Sequence, residues 1–368
     1  MHSHRLSRLH TALSAAQLDM LTLTPGPSLT YFSGMHSHLS ERPILLFLTG
    51  RADDSAVIIP VLEAIKAEQA GIAAGRIFAW RDEDGYQTAF AQAAQTLNLD
   101  QQRLGLEALS MRVLEYQQLA QAAPGLIRRY ADDLVAALRL RKEADEIAAM
   151  RHAAAVAEKA LEMLLPRIQI GQTERQIAAM LLQALIEAGA DGPAFESIVS
   201  AGPNGASPHA VPTDRPIQAG DLLILDWGAR VGDYVSDITR TFAVGEIAPE
   251  LAHIYHVVQA ANAQGVAAAR PGVSGETLDQ AAREVIEDAG FGRYFIHRTG
   301  HGLGMEPHEP PSLMAGSRAP LPIGAVFTVE PGIYWPGRGG VRIEDDVVIS
   351  AEGYECLTTL PRELRYVG

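Results

Sequence analysis

The chain has 368 residues, and 30 Lys and Arg against 44 Asp and Glu give a formal net charge of −14. The length favours two domains, and 47% hydrophobic residues suffice for a core in each. The acidic balance argues against nucleic-acid or membrane partners, and the one cysteine, Cys356, excludes a disulfide framework and a cysteine-rich zinc site. Because no apolar run could span a bilayer or act as a signal peptide, we expect a cytoplasmic protein.

The first 138 residues alternate short apolar strands with alanine-rich helical stretches, a pattern typical of an α/β domain. Strands are predicted at Leu18–Thr24, Ile44–Thr49, Ala56–Leu62, Ile77–Trp80 and Leu104–Leu109, and helices at Glu63–Ala74 and Tyr86–Leu97. Basic residues then concentrate between positions 128 and 142. We place a domain boundary there, with one domain at 1–138 and a second at 139–368. The second opens with a long helix from Lys142 to about Leu165.

The second domain contains the same pattern twice. Gly171 and Gly189 lie 18 residues apart and bracket a predicted helix, and Gly272 and Gly290 do the same further along the chain. In both copies a Pro-His pair follows, and then a glycine, an apolar run and a carboxylate. The sequence therefore predicts two equivalent α-α-β units that face each other and bring the ends of equivalent strands together.

Four carboxylates occupy matching places in the two copies. Asp226 follows Leu-Leu-Ile-Leu and Glu330 follows Val-Phe-Thr-Val, while Asp237 in the first copy is answered by Glu344 in the second. A carboxylate at the end of a buried strand is costly unless it is paired or bound to a cation, and four together would repel one another. Taken singly, each could be a turn or capping residue, or a solvated acidic edge. As a set they favour a site for two divalent cations.

Histidines accompany these carboxylates. His301 lies in Gly-His-Gly-Leu-Gly, where the glycines imply a tight backbone that presents the imidazole at close range. One imidazole with four carboxylates suits Mn²⁺, Co²⁺ or Fe²⁺ and could also accept Zn²⁺. His209 and His308, each preceded by proline, would flank the site and donate hydrogen bonds to a substrate carbonyl or oxyanion. The alternative for both is a loop imidazole without a task.

At these residues the chain resembles the pita-bread metallopeptidases, which include methionine aminopeptidase, aminopeptidase P, proline dipeptidase and the metal-free creatinase. The family's ligand order of Asp, Asp, His, Glu, Glu is matched by Asp226, Asp237, His301, Glu330 and Glu344. The spacings of 11, 64, 29 and 14 residues are those of the proline-specific branch. The resemblance implies an α+β protein with a C-terminal pita-bread catalytic domain, built from the duplicated α-α-β units, and an N-terminal α/β creatinase-like domain.

The resemblance also implies a mechanism with two divalent ions, Mn²⁺ first and Co²⁺, Zn²⁺ or Fe²⁺ as alternatives. Asp237 and Glu344 would bridge both ions. Asp226 would be a further ligand of one ion, and His301 and Glu330 would be further ligands of the other. A bridging water or hydroxide would attack the scissile carbonyl, with Glu330 as its proton acceptor.

Further residues follow from the same resemblance. His209 and His308 match catalytic histidines that contact substrate. His297 and Arg342 are candidates for substrate binding, although an ordinary salt bridge or strand-edge position is an alternative for each.

Within the family, an N-terminal domain of this length disfavours methionine aminopeptidase, and the intact ligand set disfavours creatinase. We therefore predict an Xaa-Pro dipeptidase, or prolidase, which acts on small peptides with proline at the second position and forms a homodimer. The alternatives are an Xaa-Pro aminopeptidase acting on longer peptides and a non-catalytic peptidase-like binding protein. A dipeptidase needs a cation for the free carboxylate of proline, and Arg42 is a candidate across a dimer interface, unless it is a solvated surface residue.

Overall fold

The computed structural model describes residues 2–368 of the chain. They separate into two compact units, Met1–Arg139 and Leu140–Gly368. The domain assignment 1–138 and 139–368, made from the sequence, stays a prediction and differs from this division by one residue. No helix among residues 2–368 combines the length and hydropathy that a membrane-spanning segment needs.

The N-terminal unit is built on a six-stranded mixed sheet with the order β4-β3-β2-β1-β5-β6. Its strands are β1 (Met20–Leu23), β2 (Leu45–Leu48), β3 (Ala56–Pro60), β4 (Ile77–Trp80), β5 (Arg103–Leu106) and β6 (Ile127–Tyr130). Its helices are α1 (Ser3–Ala15), α2 (Pro27–Ser33), α3 (Ala64–Gln69), α4 (Gln87–Thr96), α5 (Val113–Ala122) and α6 (Asp132–Leu140). Phe47, Ile58 and Phe90 belong to a buried apolar cluster between the sheet and α4.

The five strands predicted in this unit are confirmed, but the first of the two predicted helices is shorter than expected. The sequence predicts a helix from Glu63 to Ala74, whereas the corresponding helix α3 ends at Gln69. Gly71 follows with φ of 81°, a left-handed conformation that stops a helix and that glycine adopts without strain. The amide of Ile72 then bonds back to the carbonyl of Ala67 at 3.0 Å, which satisfies the end of the helix.

The C-terminal unit contains two helical pairs, as the duplication predicts. The first pair is α7 (Ala144–Leu164) with α8 (Glu174–Ala188), and the second is α9 (Pro249–Ala267) with α10 (Gly275–Asp288). Thr173 and Ser274 cap α8 and α10 by accepting hydrogen bonds from backbone amides three residues on. Each cap residue also forms an isolated β-bridge, Thr173 with Pro216 and Ser274 with Pro320. The two copies therefore share details beyond the helix pattern.

Two sheets continue the duplication. The first has the order β20-β12-β9-β8 and the second the order β14-β13-β15-β18-β19, beside a three-stranded sheet β11-β10-β7 and a hairpin β16-β17. The strands are β7 (Gly192–Pro193), β8 (Ile198–Ala201), β9 (Leu222–Trp227), β10 (Ala229–Val231), β11 (Tyr234–Val235), β12 (Ile238–Val244), β13 (Gly300–Gly302), β14 (Glu309–Leu313), β15 (Val326–Val329), β16 (Gly332–Trp335), β17 (Gly339–Arg342), β18 (Asp345–Ser350), β19 (Gly353–Cys356) and β20 (Arg365–Val367). The predicted pair of α-α-β units is confirmed.

Candidate active site

A cavity of about 570 Å³ in the C-terminal unit is lined by residues of both copies. It gathers nine of the ten site residues predicted from the sequence, together with several that were not predicted. The lining consists of Phe195, Ile198, Pro208, His209, Asp226, Asp237, His297, Arg298, His301, Pro307, His308, Met314, Glu330, Arg342 and Glu344.

The first two carboxylates come from neighbouring antiparallel strands. Asp226 lies at the end of β9, where it is paired in register with Thr239 of β12. Asp237 comes immediately before β12, so both carboxylates reach the same edge of this sheet. Both side chains are buried, and Leu223 and Leu225 on β9 anchor the strand in the apolar core beneath α7 and α8.

The two glutamates belong to the second copy and are tied to the first. Glu330 follows β15, and Glu344 follows β17. The amide of Glu344 donates to the carbonyl of Thr239 at 3.1 Å, and the hydroxyl of Thr239 donates to Glu344 Oε2 at 2.6 Å. Asp346 accepts the amide of Asp237 at 3.1 Å. These bonds join the two copies at the point where their carboxylates meet.

His301 sits in β13 between glycines that the packing requires. A Cβ atom on Gly300 would lie 1.9 Å from the carbonyl oxygen of Thr328, and one on Gly302 would lie 2.2 Å from that of Pro310. Neither position could hold a side chain without moving the backbone. The imidazole Nε2 of His301 lies 3.2 Å from Glu330 Oε1 and 3.8 Å from Asp237 Oδ2.

Burial and neighbouring charges shift the pKa values of the four carboxyl groups. Burial, together with the neighbouring carboxylates, raises the pKa of Asp237 and that of Glu344 well above the usual range. Burial also raises the pKa of Asp226, although Arg342 opposes the shift. Glu330 is different: burial opposes its ionisation, but the contact with His301 lowers its pKa below the usual value. Asp237 and Glu344 therefore lack the positive charge that would keep them ionised, and Arg342 offsets the burial of Asp226 only in part.

This donor set fits divalent cations. Ligand atoms of Asp237, His301 and Glu344 all lie within 4.8 Å of one another. Asp226 Oδ1 is buried and has no hydrogen-bond partner among residues 2–368, an arrangement that a cation would satisfy. Carboxylate oxygens with one imidazole and no thiolate match Mn²⁺, Co²⁺ or Fe²⁺ better than a structural zinc site.

Arg342 and His297, both predicted, belong to one buried hydrogen-bond network. Arg342 Nη2 donates to Asp226, while its Nη1 donates to Tyr334 Oη at 2.8 Å and to the carbonyl of Pro208 at 3.2 Å. His297 Nε2 lies 2.8 Å from the same Tyr334 hydroxyl. Burial lowers the pKa of His297 and raises the pKa of Tyr334 to about 12, so both are neutral near pH 7. Sequence reasoning missed Tyr334, because it lies in an apolar run, Gly-Ile-Tyr-Trp, that carries no catalytic pattern.

His209 and His308 line the cavity with exposed side chains. The His308 ring meets the His301 ring edge to face, with centroids 4.2 Å apart. Desolvation, helped by the charges of His301 and Arg298, lowers the pKa of His308 to about 4. Arg298 was not predicted, although the motif His-Arg-Thr-Gly-His contains it; its guanidinium donates to Ser312 Oγ at 3.0 Å.

Arg42, the tenth predicted residue, belongs to the N-terminal unit. Its guanidinium donates to both carboxylate oxygens of Asp82, at 2.9 and 2.8 Å, and also pairs with Glu41. Its assignment to a substrate carboxylate stays a prediction.

Comparisons with known proteins match the whole chain. The model of metallopeptidase family M24 matches residues 148–351, and that of the creatinase/prolidase N-terminal domain matches residues 5–141. A Mycobacterium tuberculosis protein named probable dipeptidase PepE is 36% identical over 99% of this chain and 96% of that protein. The structure of an Xaa-Pro dipeptidase from Bacillus anthracis is 34% identical, covers 99% of each chain and gives a TM-score of 0.89. That of an X-Pro aminopeptidase from Thermotoga maritima is 30% identical, covers 97% of this chain and all of that chain (100%), and gives 0.83.

Proposed function

This chain belongs to metallopeptidase family M24, and we propose that it hydrolyses the peptide bond before proline in Xaa-Pro dipeptides. The observation that carries the proposal is the convergence of five metal-ligand candidates from both copies in one cavity: Asp226, Asp237, His301, Glu330 and Glu344. Similarity over nearly the full length to a protein named as an Xaa-Pro dipeptidase supports the same activity.

The family works with divalent metal ions, and we propose that two of them, Mn²⁺ first, are held at this site. The residues that would hold them are Asp226, Asp237, His301, Glu330 and Glu344. Bound there, the ions would lower the pKa of a water molecule and polarise the scissile carbonyl. The choice of ion, a homodimeric state and a cytoplasmic location stay predictions.

The other tasks fall to protein side chains. We assign to Glu330 the proton of the attacking water, because its side chain lines the cavity among the other ligand candidates and its Oε1 lies 3.2 Å from His301 Nε2. His308 is neutral at that pH and can donate one hydrogen bond to the carbonyl oxygen on which negative charge develops. We assign the same role to His209, which lines the same cavity.

The cavity also offers a cation for the free carboxylate of proline. Of its two arginines, Arg342 is held by Asp226, Thr239 and Tyr334. Arg298 donates to the hydroxyl of Ser312 instead of to a carboxylate. In an Xaa-Pro dipeptide the free carboxylate belongs to proline itself, and Arg298 lines the same cavity as His308. This arrangement favours the dipeptidase over the aminopeptidase, which accepts residues beyond proline.

The test compares an Xaa-Pro dipeptide with the same dipeptide extended by one residue. We expect hydrolysis of the dipeptide and at least tenfold lower kcat/KM for the tripeptide, a difference of about 1.4 kcal/mol in transition-state binding. Similar rates on both would identify an aminopeptidase. Hydrolysis of neither substrate with added Mn²⁺ or Co²⁺ would favour the binding protein.

A further inference from the structure

A buried ion pair includes the residue that follows His308 and has no role in the chemistry described so far. Lys142 and Glu309 are 2% and 4% exposed at their side chains, and Lys142 Nζ lies 3.3 Å from Glu309 Oε2. Lys142 stands two residues before α7, and Glu309 is the first residue of β14. Desolvating two charges costs several kcal/mol, and the attraction between them often does no more than offset that cost. Stability alone is therefore a weak explanation for the pair.

Glu309 organises the loop that precedes it. Its Oε1 accepts the amide of Met305 at 2.9 Å and that of Glu306 at 3.1 Å. Both carboxylate oxygens are thus engaged, one by the ammonium group and one by two backbone amides. The loop from Met305 to Glu309 is closed on itself by a single charged side chain, and His308 lies within it.

Gly304, the residue before this loop, leaves room for the side chains of Lys142 and Glu309. A Cβ atom on Gly304 would lie 2.9 Å from both carboxylate oxygens of Glu309 and 3.0 Å from Lys142 Cε. Only glycine leaves that space open. The carbonyl of Gly304 also accepts the amide of Val235 at 2.9 Å, which ties this end of the loop to the strand before Asp237.

We propose that Lys142 is a positioning residue for His308 and that it acts through Glu309. The proposal rests on the proposed function, in which His308 donates to the substrate carbonyl. The His308 side chain is exposed, so its place against His301 is set by its backbone rather than by burial. Without the ammonium group, the buried Glu309 carboxylate would lose the cation that it pairs with, and the loop that it closes would shift.

The test uses Lys142→Met, which keeps the aliphatic stem and removes the charge. We expect kcat for an Xaa-Pro dipeptide to fall about 10- to 100-fold, since a displacement of about 1 Å in a positioned group costs that much. KM and the number of Mn²⁺ ions bound should stay at their wild-type values. Lys142→Arg should restore much of the rate. Arg151→Met, which removes an exposed pair with Glu355, is the control and should leave kcat unchanged.

A double-mutant cycle separates positioning from general damage. If Lys142 acts through His308, the double variant Lys142→Met with His308→Ala should be no slower than His308→Ala alone. Losses that multiply would overturn the proposal, as would a wild-type kcat in Lys142→Met. Should Lys142→Met fail to fold by circular dichroism, the double variant Lys142→Met with Glu309→Gln removes both charges of the pair, and an unchanged kcat there is equally contradictory. Lack of hydrolysis by the wild type would instead contradict the proposed function itself.

Discussion

Asp237 and Glu344 illustrate why single residues at this site cannot be understood alone. Each is buried beside other carboxylates, and burial is the largest reason why its pKa is raised. An isolated buried carboxylate would take up a proton and become inert. Here the carboxylates lie beside His301 in a set that fits divalent cations. Burial therefore favours metal binding, because a cation offsets both the repulsion between the carboxylates and the cost of burying their charge.

Asp237→Asn should therefore remove metal-induced stabilisation. In the wild type, Mn²⁺ at a hundred times its dissociation constant should stabilise the folded protein by about 2.7 kcal/mol and raise Tm accordingly. The variant loses a charged ligand and should show little or no rise. Thermal unfolding with and without Mn²⁺ measures both. The exposed Asp214, paired with Arg175, supplies the matched control Asp214→Asn, which should keep the full rise.

Metal binding should also release protons. Burial raises the pKa values of Asp237 and Glu344 well above the usual range, so these carboxyls hold protons to higher pH than ordinary carboxyls do, and a cation competes with those protons. Affinity for Mn²⁺ should then fall as pH falls, and calorimetric titrations in two buffers of different ionisation enthalpy should report protons released. Equal heats in the two buffers would show that the carboxylates are already ionised without metal.

At the residue scale, the site residues that could be predicted are those that belong to a local sequence pattern. The five ligand candidates could be found because Asp226 and Glu330 end apolar strands and His301 sits between glycines. Asp237 and Glu344 could be matched with each other through the duplication. Tyr334 and Lys142 were missed because their partners are distant in sequence: Tyr334 lies 37 residues from His297, and Lys142 lies 167 residues from Glu309. Such contacts exist only once the chain has folded.

Helix α9 is joined to the site by one buried amide. Asn262 Nδ2 donates to the carbonyl of Val329 at 2.9 Å and to that of Ile343 at 3.2 Å. These residues immediately precede Glu330 and Glu344. One side chain on the helix thus holds together two chain segments that belong to different sheets and that both end in a carboxylate.

Asn262→Leu should destabilise the protein and weaken metal binding. The substitution removes the Asn262 hydrogen bonds to two buried carbonyls, which lowers the free energy of unfolding by up to about 1–3 kcal/mol for each. It also leaves Glu330 and Glu344 less firmly positioned. Urea unfolding and a Mn²⁺ titration measure the two effects. Gln264→Leu, on an exposed position of the same helix, should change neither. A fully stable variant with unchanged metal affinity would show that the amide bridge is dispensable.

In the N-terminal unit, an ion pair joins β1 to β5. Asp19 precedes β1 and bonds to the side chain and amide of Arg103, and this side-chain hydrogen bond lowers the pKa of Asp19 below 3.8. A carboxyl whose pKa is lowered by folding stabilises the protein above its unfolded pKa and loses that contribution as pH falls. Asp19→Asn should therefore lower the urea midpoint at about pH 7 but much less at about pH 2. Equal losses at both values would contradict this role.

At the scale of elements, the pattern of apolar residues predicted strands better than helix lengths. Every strand assigned in the N-terminal unit is present, whereas α3 ends early at Gln69 and helix α1 was not assigned. Its buried residues Leu6, Leu9 and Leu13 follow helical spacing, so a pattern was available, but the surrounding histidines and arginines obscured it.

The duplication governs the molecule as a whole. Asp226 and Asp237 come from the first copy, and His301, Glu330 and Glu344 from the second, so neither copy alone contains the proposed site. Hydrogen bonds from Thr239 to Glu344 and from Asp237 to Asp346 connect the two copies. The predicted α-α-β repeat could be found from glycine spacing, but the meeting of its two strand ends depends on packing that no local pattern describes.

Hydrolysis of an Xaa-Pro dipeptide after metal removal tests the central claim most directly. The protein is treated with excess chelator, freed of the chelator by gel filtration, and assayed before and after addition of Mn²⁺, beside Asp237→Asn treated in the same way. We expect activity to disappear with the metal and to return with Mn²⁺ in the wild type alone. Turnover that persists in excess chelator, or that Asp237→Asn retains at the wild-type rate, would contradict a metal-dependent dipeptidase at this site.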